Sequence, residues 1–99
     1  MRNSNAVLDS LYVEEDKDEI RKKIAAIIAL VIGETASSDG SIKVSYYKGE
    51  KTTVYKLEAP PEHRGRIIGV KGKNILSLRT LVCAMAANHG FRAVIDLVV

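Results

Sequence analysis

The ten residues Arg66-Ile67-Ile68-Gly69-Val70-Lys71-Gly72-Lys73-Asn74-Ile75 do most to limit what this chain can fold into. Helical apolar spacing enters them from one side and resumes on the other, so they join two helices through a short break. Two glycines three positions apart let the backbone turn sharply and leave no Cβ between the peptide groups and a ligand. The helix that starts just beyond offers unpaired N–H groups and a partial positive charge, which favours an anion such as phosphate. Lys71 and Lys73 add mobile charge at the same place, while Ile68 and Ile75 are expected to anchor the flanks. The tetrapeptide Gly69–Gly72 alone is a weak signal, better explained by a plain helix–turn–helix corner. The longer pattern Ile-Gly-x-x-Gly-x-x-Ile, set between two helices, is far more specific.

What surrounds the motif is regular. Ile20, Ile24, Ile27, Ile28 and Val31 recur at helical spacing after Asp18 and Glu19, which suit a helix N-terminus, and Gly33 is the expected stop. Ser37-Ser38-Asp39-Gly40 is turn chemistry. Ile42, Val44 and Tyr46 then alternate with Lys43, Ser45 and Tyr47 as in a half-buried strand, and Lys48-Gly49-Glu50 connects to a second strand over Thr52–Leu57. Ala59-Pro60-Pro61 ends it, since residues before proline stay extended and Pro61 suits a first helical turn. A helix over 62–68 follows, then one over 73–88 with Ile75, Leu78, Val82, Met85 and Ala86 on one face. Phe91, Ala93, Ile95 and Leu97 alternate with Arg92, Val94 and Asp96 in a last strand. The expected fold is α+β, in the order α-β-β-α-α-β, with a three-stranded sheet covered on one face by helices.

Composition narrows the function. Ninety-nine residues suit one domain with one modest core. The single cysteine, Cys83, excludes an intrachain disulfide and fits a reducing compartment. The longest apolar stretch, Ile24 to Gly33, is too short to span a bilayer, and the acidic run before it is wrong for a secretory signal, so a cytoplasmic address is expected. Charge is unevenly spread: residues 1–19 are net −4, residues 20–59 net +3 and residues 60–99 net +4. On charge alone a solvated face explains the basic cluster Arg64, Arg66, Lys71, Lys73 and Arg79; a phosphate patch is the sharper reading.

The stretch from Leu57 to Leu81 resembles the KH domain in its type II form, and more closely the small bacterial single-KH proteins of the KhpA/YlqC type. The matching features are the strand end with Pro60-Pro61-Glu62, the Arg64-Gly65-Arg66 helix, the Gly69–Gly72 loop and the helix carrying Leu78-Arg79-Thr80-Leu81. With the first helix and hairpin, the resemblance covers about residues 18–99, leaving residues 1–16 as an acidic extension to a KH domain at 17–99. It implies a single-stranded RNA-binding protein, an RNA chaperone or a ribosome-linked or post-transcriptional regulator. In KH domains the GxxG loop clamps the backbone of about four nucleotides beside an apolar groove. Carried over by position, Gly69, Val70, Lys71 and Gly72 hold the backbone. Ile67, Ile68, Ile75 and the second strand form the groove floor, and Arg64, Arg66, Lys73 and Arg79, with Asn74 at the loop's end, complete the RNA-binding set. The loop departs from its relatives in one respect: Val70 follows the first glycine where a basic residue is common. The resemblance also implies a homodimer or pairing with a Jag-type KH protein (KhpB).

Other features take plainer readings. Cys83 has no cysteine or histidine at ligand spacing and is expected to be a buried or semi-buried small hydrophobe. Tyr46, Tyr47 and Tyr55 suit sheet packing better than a base-stacking platform, and His63 suits the surface. The Ile24–Ile32 helix after Arg21-Lys22-Lys23 is needed by the core rather than by a membrane surface. No Walker loop, dinucleotide fingerprint, catalytic triad or metal-ligand spacing can be drawn, so no enzyme activity and no cofactor are expected. A protein–protein adapter is the rival function, but it has no need for an intact GxxG with two lysines. The acidic residues 1–19 are expected to fold back on the basic face and mimic RNA.

Overall fold

The structure is a computed structural model that describes the backbone of residues 2–98 and the side chains of residues 17–98. Its elements are α1 (Arg2–Thr35), β1 (Lys43–Lys48), β2 (Thr52–Glu58), α2 (Pro61–Ile68), α3 (Lys73–Asn88) and β3 (Arg92–Val98), with a 3-10 turn over Val70–Gly72 between α2 and α3. The order is the one that the alternation and helical spacing predict. The sheet runs β1-β2-β3. β1 and β2 are an antiparallel hairpin with Tyr46 opposite Tyr55, and β3 lies parallel to β2 with Ile95 opposite Tyr55. The parallel pairing needs a crossover, which α2 and α3 provide.

Alternate residues of the sheet build the core. Thr53, Tyr55 and Leu57 of β2 and Ala93 and Ile95 of β3 are buried toward the helices. Against them pack Ile24, Ile28 and Ile32 of α1, Ile67 of α2, and Ile75, Leu78, Val82 and Ala86 of α3. Spacings of three and four keep each set on one helix face. Tyr46 and Tyr55 belong to this packing, with ring centroids 5.6 Å apart, while Tyr47 is exposed on the other face of the sheet. The three tyrosines therefore form no common platform.

α1 departs from expectation in three ways. Its buried line is Ile24, Ile28 and Ile32, so Ile27 sits at the exposed border. Gly33 does not stop it: the helix runs to Thr35, and the amides of Ala36 and Ser37 both donate to the Ile32 carbonyl, at 2.9 and 3.2 Å. A mid-helix glycine costs only about 1 kcal/mol, and Ala36 just beyond is buried in the core. Finally, residues 2–16 continue α1 as one unbroken helix of 34 residues. Such a helix is about 51 Å long, comparable with the molecule's longest extent of 54 Å. Its N-terminal half leaves the domain at the β1–β2 turn, whereas the C-terminal half reaches Ile67 and Asn74 beside the GxxG loop. The expected contact of the acidic residues 1–19 with the basic face turns on the side chains of residues 2–16, which lie outside the described residues. No helix among the described residues is long and apolar enough to cross a membrane.

Candidate nucleic-acid interface

The loop's shape comes from its two glycines. The Gly69 amide closes α2 by donating to the Gly65 carbonyl at 2.8 Å, and Gly69 then takes φ 79°, ψ 172°, a region essentially reserved for glycine. Lys71 (φ 56°) and Gly72 (φ 73°) are both left-handed, and the Gly72 amide donates to the Gly69 carbonyl at 3.1 Å. Two left-handed residues in succession reverse the chain from α2 into α3.

Gly72 is also the N-cap residue of α3, and no side chain caps that end, nor does an acidic residue stand in the first turn. The Lys73 amide is taken by the Val70 carbonyl, and the other N–H groups of the first turn of α3 meet no side-chain cap, with the positive end of a 16-residue helix behind them. Lys71 and Lys73 flank the opening and Arg66 stands at the end of α2, all exposed. That combination suits an anion such as a phosphate group.

The remaining expected residues divide. Ile68 and Val70 are exposed, Val70 by 78%. Ile67 and Ile75 are 1% and 6% exposed; both belong to the core, where they anchor the loop and offer no surface to a ligand. Arg64 is half-buried, one turn from Ile67, and its Nε is enclosed without a hydrogen-bond partner among the described residues. Asn74 is exposed, but its Nδ2 donates to the Arg66 carbonyl at 2.9 Å. His63 is directed to the turn after α1, with Nε2 3.3 Å from Asp39 Oδ2. Hydrogen bonds from the Ser41 hydroxyl and amide, with help from Ser37, hold the Asp39 carboxyl well below the usual carboxylate range.

The second strand, expected to help form the groove floor, lies in the interior of the sheet. β2 is the central strand, covered on one face by the helices. The open strand beside α3 is β3, whose outer edge has no strand partner among the described residues. Leu76, Arg79 and Cys83 continue in a line along α3 from Gly72, and a cleft of about 150 Å³ opens between α3 and β3, lined by Arg79, Val82, Cys83, Ala93, Val94 and Ile95. Cys83 is exposed rather than buried, and its thiol donates to the Ala93 carbonyl at 3.4 Å. An apolar floor beside an unpaired strand edge can accept a flat base and bond its edge. A similar apolar cleft on the other flank of α3, between Ile32 and Leu81, has no charged residue in its wall.

Leu76, Cys83 and Val94 were missed from the sequence, although a signal existed for two of them. Val94 is an apolar residue in the outward register of its strand, and Leu76 lies off the buried line of α3; neither is needed by the core. Among the described residues no group of three His, Cys, Asp or Glu side chains could hold a metal ion.

Comparison with known proteins agrees with this geometry. Residues 25–97 match the family model described as KhpA/KhpB, KH domain. The RNA-binding protein KhpA of Aquifex aeolicus is 31% identical over 71 residues, covering 72% of this chain and 90% of that protein. The proteins of the same name from Clostridium acetobutylicum and Borreliella burgdorferi are 30% and 27% identical. They cover 58% and 72% of this chain and 76% and 87% of their own lengths. No solved structure matches. The chain belongs to the KhpA/KhpB KH-domain family.

Proposed function

We propose that this protein binds single-stranded RNA, with residues 17–99 as the binding module and residues 2–16 as an appended helical segment. The observation that carries the reading is the uncapped N-terminus of α3, opened by Gly69 and Gly72 and flanked by Lys71 and Lys73. A backbone phosphate is held there by the α3 amides, with Arg66 in reach of its neighbour. The following bases lie along Leu76, Arg79 and Cys83 against the edge of β3. The names of the relatives, all RNA-binding protein KhpA, support the same assignment. Binding by one such module is weak and salt-dependent, which suits an RNA chaperone or post-transcriptional regulator acting as a homodimer or with a KhpB-type partner, where avidity adds to affinity. The protein works in the cytoplasm and catalyses no reaction.

The test is a salt-series titration of fluorescent single-stranded RNA with the wild type and the Val70→Asp/Lys71→Asp variant. Both positions are exposed, so circular dichroism should show an intact fold while two carboxylates repel the phosphate. Loss of binding in a folded variant places RNA at the loop. Equal binding by both proteins, or none by the wild type, transfers the leading role to protein–protein docking on the apolar cleft of α3 and β3.

A further inference from the structure

The cleft between α3 and β3 begins at Ala93. One residue earlier along β3, at the other end of the sheet from the GxxG loop, a larger cavity of about 320 Å³ opens between the start of β3, the β1–β2 turn and the flank of α1. Its wall carries five basic side chains, Lys17, Arg21, Lys48, Lys51 and Arg92, against the single carboxylate of Glu50. They come from three parts of the sequence and converge only in the fold.

The cavity has a buried back and an exposed rim. Arg21 is 5% exposed. Its Nε donates to Thr53 Oγ1 at 2.8 Å, its Nη1 reaches Asp18 at 3.1 Å, and its guanidinium lies 4.9 Å from the centroid of the Phe91 ring. A guanidinium fixed on three sides keeps its charge and its direction. Lys48, Lys51 and Arg92 are exposed and make no ion pair with the described residues. Asp18 offsets one charge, and among the described residues at the cavity five basic side chains stand against two carboxylates, those of Glu50 and Asp18. A core of this size has no structural need for such a concentration of like charge, which opposes folding by self-repulsion.

We propose that this cavity is a second phosphate site for the same RNA strand, so that RNA leaving the groove along β3 is held again by Arg21, Lys48, Lys51 and Arg92. The proposal rests on the RNA reading of the GxxG loop and extends its footprint. The two openings share no lining residue but meet at successive positions of β3, where Ala93 lines the groove and Arg92 lines the cavity, so the RNA strand's path passes round the start of β3. Its length follows from α3, whose 16 residues separate the two sites by about 24 Å. An RNA of about four nucleotides, the span of the loop clamp, cannot reach both sites; one of roughly twelve can.

The experiment titrates fluorescent oligouridylates of both lengths against the wild type and the variant Lys48→Ala/Lys51→Ala/Arg92→Ala. A control variant, Lys22→Ala/Lys23→Ala/Lys43→Ala, removes the same charge from exposed positions outside the cavity, and circular dichroism verifies all three folds. The cavity variant should bind the short RNA as the wild type does and the long RNA at least about tenfold more weakly. Its log–log salt slope on the long RNA should be shallower by about 2, because each lost single-strand phosphate contact removes about 0.7. Unchanged binding of the long RNA overturns the proposal. So does an equal loss on both lengths, or an equal loss in the control variant, either of which makes the effect one of overall field. If the wild type binds neither RNA, the reading of the GxxG loop fails as well, an outcome distinct from loss at the cavity alone.

Discussion

Asn74 holds the two ends of the GxxG loop together: its Nδ2 donates to the Arg66 carbonyl at 2.9 Å, across eight residues of chain. The acceptor belongs to the last turn of α2, whose carbonyls have no partner within the helix, and the donor sits in the first turn of α3. Replacing Asn74 with Ala should lower stability by about 0.5–1.5 kcal/mol while leaving every charge in place. The sharper effect should appear in amide exchange, with faster exchange at Gly69 and Gly72 than in the core of α3. RNA affinity should fall with that loosening. Unchanged exchange at the loop would show that Asn74 does not hold it.

Gly69 and Gly72 should respond differently to alanine. A Cβ on Gly69 would lie 2.6 Å from Asn74 Cγ and 2.9 Å from the Asn74 amide nitrogen, on a backbone that disfavours any side chain. A Cβ on Gly72 meets only Leu76 Cδ1 at 4.0 Å, so Gly72→Ala pays for left-handed backbone alone. The expected cost is about 1–2 kcal/mol for Gly72→Ala. Gly69→Ala should cost that much or more for its backbone, about 1–3 kcal/mol, together with displacement of Asn74. Urea unfolding of the two variants orders them, and equal costs would remove the close approach to Asn74 from the account.

Lys71 is left-handed without being glycine, at φ 56° and ψ 28°. Its conformation costs about 1–2 kcal/mol and sets an ammonium group beside the α3 N-terminus. Lys71→Gly should therefore stabilise the fold by up to about 1 kcal/mol, once the greater freedom of the unfolded chain is subtracted. The same change should weaken RNA binding and reduce the salt slope by about 0.7. Stability and affinity moving in opposite directions, read by urea unfolding and by titration, is the signature of strain kept for binding.

Much of this was legible in the sequence because local rules dominate it. The alternation from Ile42 to Tyr47 and the helical spacing of Ile75, Leu78, Val82 and Ala86 report burial directly, and Gly69 and Gly72 report a turn that little else can make. The parallel pairing of β3 with β2 is not local, and it decides which strand borders the groove. Strand alternation and helical spacing cannot show that β2 is the central strand or that Ile67 and Ile75 belong wholly to the core. The cavity around Arg21 was illegible for the same reason, because Lys17, Lys48 and Arg92 are neighbours only across the completed sheet. The expected stop at Gly33 failed for a different cause: a mid-helix glycine costs only about 1 kcal/mol, and continuing the helix to Thr35 brings Ala36 into the core.

The join between α1 and the sheet carries its own pH signature. Tyr55 is fully buried at the centre of β2, and its hydroxyl donates to the Arg21 carbonyl at 3.0 Å. Burial, reinforced by Tyr46, pushes its pKa up to about 12, with Arg21 opposing in part. In the unfolded chain the group ionises near 10. Because the folded value is the higher one, the stabilisation is complete below about pH 10 and is lost as pH rises toward about 12. Two pH units of displacement correspond to roughly 2–3 kcal/mol. Tyr55→Phe should cost about 0.5–1.5 kcal/mol at neutral pH for the missing hydrogen bond and should lack this alkaline loss. The difference between wild-type and variant unfolding free energies should therefore shrink, then change sign, between pH 10 and 12. The late tyrosinate absorbance of the wild type should vanish in the variant. A constant difference across that range would mean that the Tyr55 hydroxyl reaches water, and that α1 is held to β2 at Arg21 by packing alone.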